Sequence, residues 1–177
     1  MDANPDKQKT SFLAQLQLAI AFLTRVPTQA LVITHDDSTD EVSPDHASGP
    51  GALADAMWLF PLVGFGVGGV GAIVLGILIW LDVPAPVAAT LAVGTMIWLT
   101  GALHEDGLAD IADGFGGGKD KGSKLHIMRD SRVGTYGIVT IAIVLIAKVA
   151  ALAALAEWNP GAAVAALIAA ATWSRAL

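Results

Sequence analysis

From Trp58 to Leu81 the chain runs 24 residues without a charged side chain, and from Ala85 to Leu103 another 19. About 20 helical residues cross a hydrocarbon core of roughly 30 Å, so either run is long enough to span a bilayer. Burial in a soluble core is the competing explanation, but a chain of 177 residues cannot enclose several helices that are apolar on every side. The composition, 54% hydrophobic and 15% charged, points the same way. The expected fold class is therefore all-α: a polytopic integral membrane helix bundle in contact with lipid, forming a single membrane domain over 1–177. A net charge of −6 gives no reason to expect a nucleic-acid partner. The absence of cysteine excludes disulfides, thiolate metal sites and cysteine nucleophiles.

Phe12 to Leu23 is short, carries Gln15 and Gln17, and stops at Arg25 and Pro27. It reads as an amphipathic helix lying on the membrane surface over about 12–24. The acidic, Pro5-containing start does not have the shape of a signal peptide. From Thr34 to Pro50 the residues are those of a connecting loop. His35 and His46 there, beside Asp36, Asp37 and Asp45, read as solvated loop residues rather than metal ligands. Spans are expected at about 58–81, 85–103, 137–156 and 161–177. The two short connections lack Lys and Arg, whereas the segment 104–136 carries Lys119, Lys121, Lys124, Arg129 and Arg132. By the positive-inside rule that polar segment is cytoplasmic, with the N-terminal stretch on the same side. The abrupt end at Leu177, with no polar tail, leads us to expect a C-terminally incomplete domain. Oligomeric state is left open.

Gly64 to Gly69 matches a dinucleotide fingerprint formally, but it lies inside an apolar span and follows no strand. The Gly64/Gly68 pair has instead the spacing that lets membrane helices approach closely. Lys148, in the middle of the third span, is costly in hydrocarbon, so it is expected to face the bundle interior or a wet cavity and to pair with a carboxylate or with carbonyls of another helix, direct contact with substrate being the alternative.

The chemistry concentrates in His104-Glu105-Asp106-Gly107-Leu108-Ala109-Asp110-Ile111-Ala112-Asp113, followed by the glycine run Gly114 to Gly118. On a helix Asp106, Asp110 and Asp113 fall at i, i+4 and i+7, within roughly 60° of arc. Like charges at that spacing weaken a helix unless a cation sits between them. Carboxylate oxygens suit hard cations, and Mg²⁺ in particular is shared between a few aspartates and substrate phosphates. A wetted acidic face is the plain alternative; the small residues Gly107, Ala109 and Ala112 leave room for something to approach and favour the metal. The glycine run is expected to end that helix, either offering N–H groups to an anion or acting as a hinge. Lys124, His126, Arg129 and Arg132, interleaved with Asp130, supply donors for phosphate.

On these residues the sequence resembles the cobalamin synthase family, the adenosylcobinamide-GDP ribazoletransferases. The matching stretches are Phe22 to Pro27, Phe60 to Gly64, Gly101 to Asp110 with Asp113-Gly114, and Ile127 to Thr135. Members of that family are longer. The resemblance implies transfer of cobinamide phosphate from adenosylcobinamide-GDP to α-ribazole or its 5′-phosphate, with release of GMP, at the end of cobalamin biosynthesis. It further implies Mg²⁺ held by Asp106, Asp110 and Asp113, and a proton acceptor among His104 and those aspartates. Lys124, Arg129 and Arg132 would bind substrate phosphate, with Asp130 at the same substrate site either as a further metal ligand or to orient the two arginines, in the bacterial inner membrane with the site facing the cytoplasm. A CDP-alcohol phosphotransferase is an alternative, although its motif wants an arginine where Asp110 stands. A cation transporter is another, although the acids follow Leu103 at the end of a complete span.

Overall fold

The computed structural model describes residues 12–27 and 50–176. The loop with His35 and His46 lies outside them. The described residues are helical throughout their ordered elements, with no strand among them. The helices are α1 (Phe12–Leu23), α2 (Pro50–Ala56), α3 (Phe60–Trp80), α4 (Ala85–Thr100), α5 (Leu103–Gly117), α6 (Lys121–Ile127), α7 (Thr135–Trp158) and α8 (Pro160–Trp173). A 3₁₀ turn, Met57–Leu59, joins α2 to α3, so Gly51–Trp80 is one helical run of 30 residues. This run and α7 are each long and apolar enough to cross a membrane.

The four expected spans are all helical, but they are not equivalent. The second ends at Thr100 rather than Leu103, where Gly101 and Ala102 both take left-handed backbone angles, φ 65° and 60°. The chain then turns by 88° into α5, so the acidic helix is not a straight continuation of α4. Gly101 serves this corner twice: it accepts the positive φ, and a Cβ there would strike the Arg25 side chain. The Arg25 backbone N–H donates to Leu99 O at 2.9 Å, which ties the N-terminal strip to the corner. The fourth segment forms α8, whose 14 residues fall short of a full crossing. Pro160 opens it, and Asn159 Oδ1 accepts the Ala162 N–H at 3.1 Å. Fixed φ and a side-chain acceptor are what a helix start needs.

Alanine and glycine set the packing. The larger core joins Leu75, Ala88, Ala89, Ala92, Val93, Leu152, Ala153, Ala156 and Ala163, from α3, α4, α7 and α8. Where little polar contrast drives helices together, small residues allow backbones to approach and gain dispersion contact. The expected Gly64/Gly68 surface meets α8: a Cβ on Gly64 would strike Ala171 O, and one on Gly68 the Ile168 backbone and Ala171 Cβ. Helix α1 packs Ala19 and Leu23 against Leu59, Val63 and Val67, while Phe12, Leu13 and Phe22 stay exposed.

Candidate active site

Helix α5 carries the acidic stretch as one unbroken helix, so Asp106, Asp110 and Asp113 do share a face. Their surroundings differ. Asp113 is 8% exposed; its Oδ2 accepts the Gly134 N–H at 2.7 Å and its Oδ1 the Gly137 N–H at 2.9 Å. Gly134 caps α7, so this carboxylate satisfies donors at the start of a second helix that lack an intrahelical partner. Gly134 and Gly137 must be glycine for this, because a Cβ at either would collide with the carboxylate. Asp106 is exposed and Asp110 half-buried, and among the described residues neither makes a side-chain hydrogen bond or ion pair.

Around α5, the α7 contact passes through Ala109 and Asp113, which face Gly137, and the α6 contact through Gly114 and Gly118, which face Lys124 and Met128. At 100° per residue Asp110 falls between these two contacts. The segment from Met128 to Gly134 joins α6 to α7 and carries Arg129, Asp130 and Arg132. The Asp113 bond to Gly134 thus draws the end of this segment against the acidic helix. Within it, Arg132 Nη2 lies 2.7 Å from Asp130 Oδ2, and the Arg132 N–H donates to Asp130 Oδ1 at 3.1 Å. Hydrogen bonds from the Arg132 side chain, then from its backbone, hold the Asp130 carboxyl down at about 2. Asp130 therefore orients Arg132, while Arg129 is exposed. Lys124 Nζ sits 4.4 Å from the Phe115 ring centroid, a cation–π contact on the flank of α5.

The glycine run ends the helix as expected, but only at its last residues. Helix α5 continues to Gly117, and Gly118 N–H still bonds to Gly114 O at 3.0 Å, so these amides are used within the helix instead of forming an anion cradle. The glycines make room: Gly114 for Met128, Gly116 for the Tyr136 ring, Gly118 for Lys124. Asp120 begins α6 through a reciprocal cap with Ser123, its Oδ1 accepting the Ser123 N–H at 2.9 Å.

His104 stands apart from the acids it was grouped with. It precedes Asp106 by two residues and Asp110 by six, which puts it roughly 160° and 120° around the helix from them. It lines a separate cavity with Glu105, Lys148 and Arg175. Lys148 Nζ reaches Glu105 Oε1 at 3.3 Å, the inter-helix pairing that a charge in an apolar helix led us to expect. Glu105 was legible only as part of the acidic stretch; Arg175, at the end of α8, carried no signal at all.

Among the described residues no three Asp, Glu or His side chains converge on one point. The donor set still suits a divalent cation. Two unpartnered carboxylates at i and i+4, one exposed and one half-buried, match the way Mg²⁺ is held by one or two carboxylates with substrate phosphate completing its shell.

The chain is similar to known proteins over most of its length. The family described as Cobalamin-5-phosphate synthase matches residues 15–177. The chain is 43% identical over 164 residues to the adenosylcobinamide-GDP ribazoletransferase of Azorhizobium caulinodans, covering 93% of this chain and 58% of that protein. It is 45% identical over 140 residues to the enzyme of the same name from Xanthobacter autotrophicus, covering 79% and 49%. Against that of Shewanella frigidimarina it is 41% identical over 167 residues, covering 93% and 58%. The chain thus spans about half to three-fifths of the length of these relatives. No solved structure matches it. The match over residues 15–177, together with relatives above 40% identity, makes this chain a member of the Cobalamin-5-phosphate synthase family.

Proposed function

We propose that the complete protein transfers cobinamide phosphate from adenosylcobinamide-GDP to a ribose hydroxyl of α-ribazole or its 5′-phosphate. In that reaction the hydroxyl oxygen bonds to the cobinamide-bound phosphorus, the bond from that phosphorus to the bridging oxygen breaks, and GMP leaves. The name that these relatives carry supports this reading, and the family's description fits an acceptor that keeps a phosphate of its own. One observation carries it in the structure: Asp113 accepts the Gly134 and Gly137 amides, which joins the end of the segment carrying Arg129 and Arg132 to the helix that bears Asp106 and Asp110.

Each side chain has a task in this scheme. Asp106 and Asp110 hold Mg²⁺, which when bound supplies positive charge to neutralise the diphosphate. Arg129 and Arg132 stabilise charge on the departing GMP phosphate, with Asp130 fixing the direction of Arg132 and Lys124 adding positive charge from the flank. A carboxylate of the acidic face accepts the hydroxyl proton, because a base has to lie within hydrogen-bond reach of it; His104 is turned away. Asp113 holds the two halves of the site together through its bonds to Gly134 and Gly137. The site faces the cytoplasm from the bacterial inner membrane, which the excess of Lys and Arg in 104–136 supports.

The test is Asp110→Asn in the complete protein. It is expected to lower GMP release from adenosylcobinamide-GDP by about a hundredfold to a thousandfold while leaving membrane insertion and helix content unchanged. Release within about twofold of the unsubstituted enzyme would remove both the metal assignment and the acidic face as the reacting site.

A further inference from the structure

The cavity behind the acidic helix has the features of a second binding site. It has a volume of about 500 Å³ and lies between α4, α5, α7 and α8. Most of its wall is apolar, supplied by residues such as Val93, Ile97, Leu152, Leu155 and Leu167, and its polar groups are His104, Glu105, Lys148, Ser174 and Arg175. Lys148 and Arg175 bring two positive charges against the single negative charge of Glu105, and protonation of His104 would only add to that sum. Lys148 spends one contact on Glu105, at 3.3 Å. Arg175 Nη1 donates to Ala171 O at 3.0 Å and to Ser174 Oγ at 3.2 Å. Its Nε is buried and has no partner among the described residues. A guanidinium nitrogen withdrawn from water with an unspent N–H is costly, and surplus positive charge beside an apolar chamber is costly again. An anion placed at this end relieves both.

We propose that the Arg175–Lys148 end of this cavity binds the phosphate of an amphiphilic ligand whose apolar body occupies the space between α4, α7 and α8. Arginine presents a planar fork that matches phosphate oxygens, and lysine retains two N–H donors beyond the one facing Glu105. The volume lies in the ordinary range for a small-molecule pocket, a mostly apolar chamber with a few convergent polar groups. The site lies on the side of α5 turned away from Asp106 and Asp110, so its ligand is not the diphosphate held there. Because the proposal is read by binding and not by turnover, it stands or falls separately from the proposed reaction.

The phosphate is tested on a lipid, against its phosphate-free counterpart. Native mass spectrometry of the detergent-solubilised protein would measure binding of dioleoyl phosphatidic acid against dioleoylglycerol. Phosphatidic acid is expected to bind about tenfold or more tightly than dioleoylglycerol. In Arg175→Gln the preference should vanish. In Ala151→Phe, which narrows the cavity at an exposed position of its wall without altering charge, the phosphorylated ligand should weaken by a similar factor. Helix content by circular dichroism certifies that both variants are folded. The proposal is overturned if phosphatidic acid binds no more tightly than dioleoylglycerol, if the preference survives in Arg175→Gln, or if Ala151→Phe binds as tightly as the unsubstituted chain.

Discussion

Asp130 shows how little of a residue's behaviour is set by its own chemistry. Its carboxyl lies in an exposed loop, yet the Arg132 side chain and backbone N–H hold it at about 2 against an ordinary 3.8. A carboxyl depressed by folding contributes stability above its unfolded value, and that contribution is lost as pH falls from there through the folded value. The Asp130–Arg132 contact is therefore expected to persist at every physiological pH and to open only between about pH 3.8 and pH 2. With Arg132 87% exposed, salt screens the pair and its effect on global stability is small. The readout is local: an NMR titration of the Asp130 side chain should show a midpoint near 2, and Arg132→Gln should return it to the ordinary carboxylate range. An unshifted midpoint in the unsubstituted protein would mean that the contact does not form. The presence of Asp130 and Arg132 two positions apart is plain in the sequence; their engagement with each other depends on the loop folding back, which spacing alone does not specify.

At the scale of elements, the weight falls on the join between α5 and α7. The sequence shows three aspartates on one helical face, and helix geometry obliges them to share it. It does not show that the third faces the start of another helix. Asp113 lies 21 and 24 positions from the glycines it bonds, and no local pattern encodes so distant a pairing. Asp113→Asn retains the shape but replaces one carboxylate oxygen with an amide NH₂, which opposes a backbone N–H donor. We expect it to cost about 2 kcal/mol and to accelerate hydrogen exchange of the Gly134 and Gly137 amides, while those of α3 remain protected. Unchanged exchange at both glycines would disprove the joining role. The glycines of Gly114 to Gly118 teach the same lesson from the other side. Their composition suggests a breaker or an anion loop, but the neighbours Met128, Tyr136 and Lys124 exploit the missing side chains, and tertiary packing overrides a helix propensity of about 1 kcal/mol per glycine. The Gly64/Gly68 pair was easier to read, since its spacing alone places both on one side of α3.

The whole molecule is asymmetric about its helix ends. Charged residues between 104 and 134 gather at one end of the chain's apolar helices, and the turns at Asp82 and Asn159 at the other. Topology follows from this charge distribution, and the chain is well suited to testing it because it contains no cysteine. Lys121→Cys, at the exposed start of α6, should react with a membrane-impermeant maleimide only from the cytoplasmic side. Asn159→Cys, between α7 and α8, should react only from the opposite side. Labelling of both from one side would invert or dissolve the proposed arrangement. Run length and charge identified the apolar helices, but they could not show that α4 stops at Thr100 and turns through 88°. That corner depends on Gly101 making room for Arg25, a residue 76 positions away.

What the sequence by itself determined is the class of molecule and the neighbourhood of its chemistry. Hydrophobic run length, the sign of loop charges and the i, i+4, i+7 spacing of acids are local quantities, and local quantities survive any arrangement of the helices. Only the tertiary structure decided which acids stay unpartnered, that Asp113 grips the start of α7, and that His104 joins Glu105, Lys148 and Arg175 in a separate chamber. Those outcomes depend on which helix faces are brought together. In an apolar bundle many faces look alike to a reader of the sequence, and close packing between small residues, with a few long-range polar contacts, selects one arrangement from among them.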